Sequence, residues 1–143
     1  MKKILTSFVL LFFFSKASTA QFELKSNPIA LLFAAPNISA EYGISDEFGL
    51  EIYGFVVPDG FGIAYLSGKF YLNSRLGLDR FNFGGFLAGG SGVLGAGFLV
   101  GQKIVSRKGV LFEFGIGLGR GFIEAPVIPY AKLDLGYRFQ KKN

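Results

Sequence analysis

Val110-Leu111-Phe112-Glu113-Phe114-Gly115-Ile116-Gly117-Leu118-Gly119 is the stretch on which the fold turns. Val110, Phe112, Phe114, Ile116 and Leu118 take alternate positions, and Glu113, Gly115, Gly117 and Gly119 stand between them. Side chains of a strand alternate between two faces, so this run presents one wall of large apolar groups and one of glycine and charge. The last regular run does the same, with Leu133, Leu135, Tyr137 and Phe139 set against Lys132, Asp134, Gly136 and Arg138.

Working outward, the same alternation divides the chain into eight runs, at 22 to 34, 37 to 44, 48 to 57, 62 to 73, 81 to 89, 93 to 105, 109 to 119 and 130 to 139. Turn chemistry separates them: Ala35-Pro36, Ser45-Asp46-Glu47, Pro58-Asp59-Gly60, Asn73 to Arg80, Gly89 to Gly92, Ser106 to Gly109, and Arg120 to Pro129. Most runs approach the roughly 9 to 11 residues that a tilted membrane strand needs. Ile29 to Ala34 is apolar on both faces and Pro28 cannot donate to a ladder, so a bend or bulge is expected there. Phe81 to Gly101 is uncharged and could be read as a membrane helix with a small-residue face. The Gly89-Gly90-Ser91-Gly92 tract in its middle favours a hairpin.

Residues 1 to 20 have the three-part layout of a secretory signal peptide: Lys2 and Lys3, the apolar run Ile4 to Phe14, and small residues ending Ser18-Thr19-Ala20. Cleavage is expected after Ala20, because the apolar run falls short of the roughly 20 residues that anchor a helix in a bilayer. The domain of interest is then 21 to 143, and with Lys2, Lys3 and Lys16 removed its charge falls from +5 to +2, leaving no basic patch for nucleic acid. There is no Cys for disulfides, thiol chemistry or lipidation, and no His. The part after residue 20 has no Thr but all 21 Gly, an unusual way to furnish a wet sheet face.

Which face points inward is settled by volume. Turning the large residues inward would overfill an eight-strand barrel, whose interior only just accommodates side chains. Turned outward they meet lipid, and the reading is an all-β, eight-stranded antiparallel up-and-down transmembrane barrel. Its lumen would hold a charge network of Glu41, Glu51, Glu113 and Asp134 with Lys69, Lys103, Lys132 and Arg138. A turn centred on Asp46 sets Glu41 across from Glu51, which calls for a nearby cation, and Lys69 on the next strand is the candidate. A turn centred on Lys108 sets Lys103 across from Glu113. The charges are expected to plug the lumen, leaving no open pore. With both termini periplasmic, Phe48, Phe70, Phe81, Phe112 and Phe139 fall near one rim, and Phe33, Phe55, Phe61, Phe122 and Tyr130 near the other, as interfacial girdles would.

Leu24-Lys25-Ser26-Asn27-Pro28 together with Pro36-Asn37-Ile38-Ser39-Ala40-Glu41-Tyr42 resembles the opening of an uncharacterised family of Bacteroidetes outer-membrane proteins, domain of unknown function 3575. Leu135-Gly136-Tyr137-Arg138-Phe139 resembles the closing strand of many small outer-membrane barrels, in which a glycine and alternating aromatics are read by the barrel-assembly machinery; here Gln140 to Asn143 follow the last aromatic. The resemblance implies location and fold, with Gly136, Tyr137 and Phe139 as the assembly signal, and brings no activity with it.

The function expected is non-catalytic, structural or interactive, without cofactor or metal. Small outer-membrane barrel enzymes rely on His-containing sites, and this chain has no His to act as a base. The expected partners are outer-membrane lipid and, during biogenesis, the assembly machinery and periplasmic chaperones. Arg120 to Pro129, carrying Arg120 and Glu124, reads as the longest loop and the contact surface on the outer rim. The alternative is a soluble periplasmic lipocalin-like barrel with its apolar face inside, around a small apolar ligand.

Overall fold

The computed structural model describes residues 21–123 and 126–140; the expected signal segment, its cleavage point after Ala20, and Glu124 lie outside the described residues. The elements are β1 (Gln21–Ser26), α1 (Pro28–Leu32), β2 (Asn37–Gly43), β3 (Phe48–Val56), β4 (Gly62–Tyr71), β5 (Arg80–Gly90), β6 (Val93–Val105), β7 (Val110–Gly121) and β8 (Val127–Gln140). Each strand pairs antiparallel with the next, and β8 returns to β1, closing an up-and-down barrel. A row of neighbours leaving Phe22 passes Tyr42, Leu50, Gly68, Gly85, Phe98 and Leu118 to reach Pro129, whereas Phe22 itself pairs with Phe139. The closure is therefore offset by ten residues along β8, the stagger that tilts the strands and sets the radius of the ring. We call the end where β1 begins and β8 finishes the terminal end, and the opposite end distal.

The outer wall is apolar. Phe98 is 81 % exposed, Ile116 66 %, Ile38 65 % and Ile52 64 %, while Glu41, Glu51, Lys69 and Lys103 are fully buried on the lumen side. Glycine dominates the lumen side of β6 and β7 because neighbouring backbones close in there. A Cβ on Gly97 would lie 2.4 Å from Gly119 Cα, and one on Gly117 2.4 Å from the Phe98 carbonyl oxygen. These glycines leave room for backbone as much as for side chains.

Three sequence expectations need correction. The first run is a strand only to Ser26, because the Asn27 carboxamide oxygen then accepts the Ile29 and Ala30 N–H groups (2.9 and 3.1 Å) and Pro28 opens α1, a strong helix start. Ala34, at φ 55°, ends that turn of helix, with Ala35 N–H returning to the Ala30 carbonyl. The interval Arg120 to Pro129 is mostly strand: Arg120 pairs with Val127 and Leu118 with Pro129. The longer connections are 27–36, which contains α1, and 72–79. Finally, Tyr130 does not belong to an outer girdle: its ring is buried in the lumen, and Phe55 is half-buried beside it. As the glycine tract suggested, Phe81 to Gly101 is the β5–β6 hairpin, turning at Ser91-Gly92.

Candidate functional site

The lumen is filled in three layers. At the terminal end the 72–79 connection folds inward and closes the barrel with Leu78, which is fully buried. Its backbone is held from below and above: Leu78 N–H donates to Gln21 Oε1 (3.1 Å), and Arg138 donates through Nη2 to the Leu78 carbonyl (2.7 Å) and through Nη1 to that of Leu76. Asp79 accepts the Arg75 and Leu76 N–H groups (2.7 and 3.2 Å), fixing the loop internally. The sequence marks this segment only as turn chemistry and carries no sign that it is a plug.

The middle layer is charge. Glu41 pairs in register with Glu51 across β2 and β3, and with Glu23 across β1 and β2, so three carboxylates stand abreast. Like charges directly opposite repel, and the cations that offset them come mainly from other parts of the ring. Lys69 reaches Glu41 (3.0 Å) and Glu51 (3.1 Å) and donates to Glu113 at 2.5 Å. Lys103 stands opposite Glu113 in register, yet its ammonium is 3.8 Å from that carboxylate and only 2.6 and 2.7 Å from Glu23 and Glu41. Lys132 donates to Glu51 and to Ser39 Oγ (3.2 Å). Arg138 donates from Nε to Glu23 at 2.8 Å. Asp134 faces Lys132 at 3.3 Å and is buried without a hydrogen bond, the least satisfied member of the group.

Two members escape the sequence reading. Lys25 donates to Glu41 (2.6 Å), Glu113 (2.6 Å) and Glu51, making it the hub of the layer, and Glu23 receives both Lys103 and Arg138. The signal was present: Gln21, Glu23 and Lys25 alternate with Phe22 and Leu24 just as charge alternates with apolar residues in β7 and β8. Reading the run on to Ala34, where both faces are apolar, hid that parity. Tyr71 adds a hydroxyl donated to Glu41 Oε1 at 2.5 Å. With these the layer holds five carboxylates and five cations, and its charge is balanced. Oxygens of Glu23, Glu41 and Glu113 lie within 4.8 Å of one another, close enough to hold a metal ion, but the Lys25 and Lys103 ammonium groups already bridge them.

The distal layer is aromatic. Tyr53 stacks on Tyr65 (ring centroids 5.7 Å), Tyr130 meets Tyr65 edge-on (5.2 Å), and Phe86 stacks on Tyr130 (5.4 Å). The Phe86 ring fills the space that Gly97 and Gly119 leave opposite it. Among the described residues the two lower layers fill the lumen toward the terminal end, and a cavity of about 410 Å³ lies beside the rings at the distal mouth.

Gly136, Tyr137 and Phe139 lie on the closing seam. Gly136 sits where a Cβ would be 2.2 Å from the Leu24 carbonyl oxygen, so the seam requires glycine there. Tyr137 and Phe139 point outward with ring centroids 5.0 Å apart. No protein-family model, curated protein or solved structure matches the chain.

Proposed function

We propose that the chain is a small outer-membrane barrel, exported by residues 1–20, with a structural or interaction role and no catalysis. Its partners in this reading are outer-membrane lipid and, during assembly, the barrel-assembly machinery and chaperones that recognise the closing strand through Gly136, Tyr137 and Phe139. The observation that carries the reading is the inversion of the two faces: among the described residues, large apolar side chains cover the outside of the wall, while the ten charged side chains of the network are buried in the lumen. A water-soluble surface rarely exposes contiguous apolar area beyond a few hundred Å², and a wall in lipid requires it. The charged plug supports a role that does not involve conduction, since the paired side chains occupy the path an ion would take.

The test is electrophoretic mobility of the protein with and without boiling, combined with flotation alongside lipid vesicles. The expected result is a heat-dependent shift and co-flotation. A protein that stays in the aqueous phase and shows no shift overturns the reading. Leu135→Arg, a charge on the outward face, is expected to cost about 2–4 kcal/mol and to abolish the shifted form.

A further inference from the structure

The barrel wall is incomplete on one side. β1 stops at Ser26, which pairs with Leu135, so residues 127–134 of β8 rise beyond it with β7 as their only paired strand among the described residues. Gly121 N–H bonds to the Pro126 carbonyl and Arg138 N–H to that of Gly109. In an antiparallel pair, alternate residues turn their backbone groups to the same neighbour. Even-numbered residues of β8 therefore bond to β7, and Val127, Pro129, Ala131 and Leu133 turn theirs toward the side that β1 has vacated. That edge is blunted rather than paired: Pro129 has no N–H to leave exposed, and its carbonyl accepts the Tyr65 hydroxyl at 2.9 Å from inside the lumen.

The distal cavity uses this notch. It is lined by Phe55, Ile63, Tyr65 and Val93, by the inward-facing Ile128, and also by Val127, Pro129 and Ala131 from the outward face of the same strand. A space lined by both faces of one strand wraps around that strand's edge, so the cavity opens sideways through the wall as well as upward. Among the described residues the lining carries no charged side chain, and its one side-chain polar group, the Tyr65 hydroxyl, is already engaged. The notch continues into the apolar wall at Val127 and Leu135, both exposed, and the connection that leaves β1 there carries exposed Ile29, Leu31, Leu32 and Phe33. At about 410 Å³ the cavity lies within the roughly 300–1,000 Å³ of ordinary ligand sites.

We propose that this cavity is a side-entry site for one acyl chain of a membrane lipid, which passes through the notch above Ser26 and rests on Tyr65. The proposal builds on the membrane reading. A charged or strongly polar guest would lose its hydration there with nothing to replace it. A chain already in the bilayer enters without crossing water.

The absence of Trp from the chain allows the test to be made with single reporters. Phe55→Trp and Phe61→Trp, both on the cavity lining, and Phe98→Trp, on the outer wall, are each folded into phosphatidylcholine vesicles whose acyl chains are brominated. Heat-dependent mobility selects folded protein. The expected result is loss of fluorescence at the two cavity positions comparable with that of the Phe98→Trp reporter, with little further loss on adding aqueous acrylamide. If the wall reporter is quenched by bromine while neither cavity reporter is, the acyl-chain site is overturned, and acrylamide quenching would then show a water-filled mouth. If the wall reporter itself escapes bromine quenching, the membrane reading has failed, and the acyl site falls with it.

Discussion

In the terminal half of the lumen ten charged side chains meet across the axis, whereas in the distal half Tyr53, Tyr65, Phe86 and Tyr130 pack on one another. Both halves fill the same narrow ring, but they respond differently to loss of a part. The charged layer is a closed account in which Glu23, Glu41, Glu51 and Glu113 are each shared among several cations. Removing one cation strands charge in a dry interior, where the cost is that of an unpaired buried ion rather than of one lost contact. The aromatic layer has fewer such obligations: its rings gain mostly from area, and its hydroxyl bonds are few, from Tyr65 to the Pro129 carbonyl and from Tyr130 to Glu51 Oε1. The teaching is that in this barrel specificity resides where the strands must close, and tolerance where the mouth opens.

The largest expected effect separates the halves outright. Lys25→Met removes the cation that touches Glu41, Glu51 and Glu113 and is expected to destabilise by about 3–5 kcal/mol. It would be read as a drop in the urea concentration at which the heat-shifted form is lost from vesicles. Adding Glu51→Gln to it should recover part of that loss, since the two residues are directly coupled. A double variant no better than the single would mean that the layer is not an ion network in the membrane.

A smaller effect tests the glycine side. Gly97→Ala brings a methyl within 2.4 Å of Gly119 Cα and of the Leu118 carbonyl oxygen, and about 1–3 kcal/mol of overpacking is expected in the same urea titration. If the variant titrates like the parent, β6 and β7 are farther apart than described and the distal half is looser still.

The smallest belongs to the ring at the notch. Tyr65→Phe removes only the hydroxyl given to the Pro129 carbonyl, an expected loss of about 0.5–1.5 kcal/mol. Should it cost as much as Lys25→Met, the contrast between a brittle and a tolerant half would be wrong.

Legibility in the sequence followed the range of the interaction. The alternation in Val110 to Gly119 and Leu133 to Phe139 is local, and so is the helix start at Asn27-Pro28, although the proline by itself points only to a bend or bulge. With Pro126 near it, Pro129 reads in the sequence as part of a Pro-rich connector. It stands in β8 because that part of the strand is an edge, and the edge exists only because β1 is short. The plug at 72–79 is hidden for a related reason: Leu78 and Asp79 look like ordinary turn residues until Gln21 at the start of β1 and Arg138 near the end of β8 arrive to hold the loop.

By itself, then, the sequence determined which side chains share a face, because a period of two is a property of consecutive residues and survives any arrangement of neighbours. That was enough to assign Glu41, Glu51, Lys69, Lys103, Glu113, Lys132, Asp134 and Arg138 to one common side. Only the tertiary structure decided which charge meets which, made Lys25 the hub, drew Lys103 away from Glu113, and left a notch above Ser26. Those outcomes depend on the ten-residue offset at which β8 meets β1. That offset belongs to the closed ring as a whole and to no single strand in it.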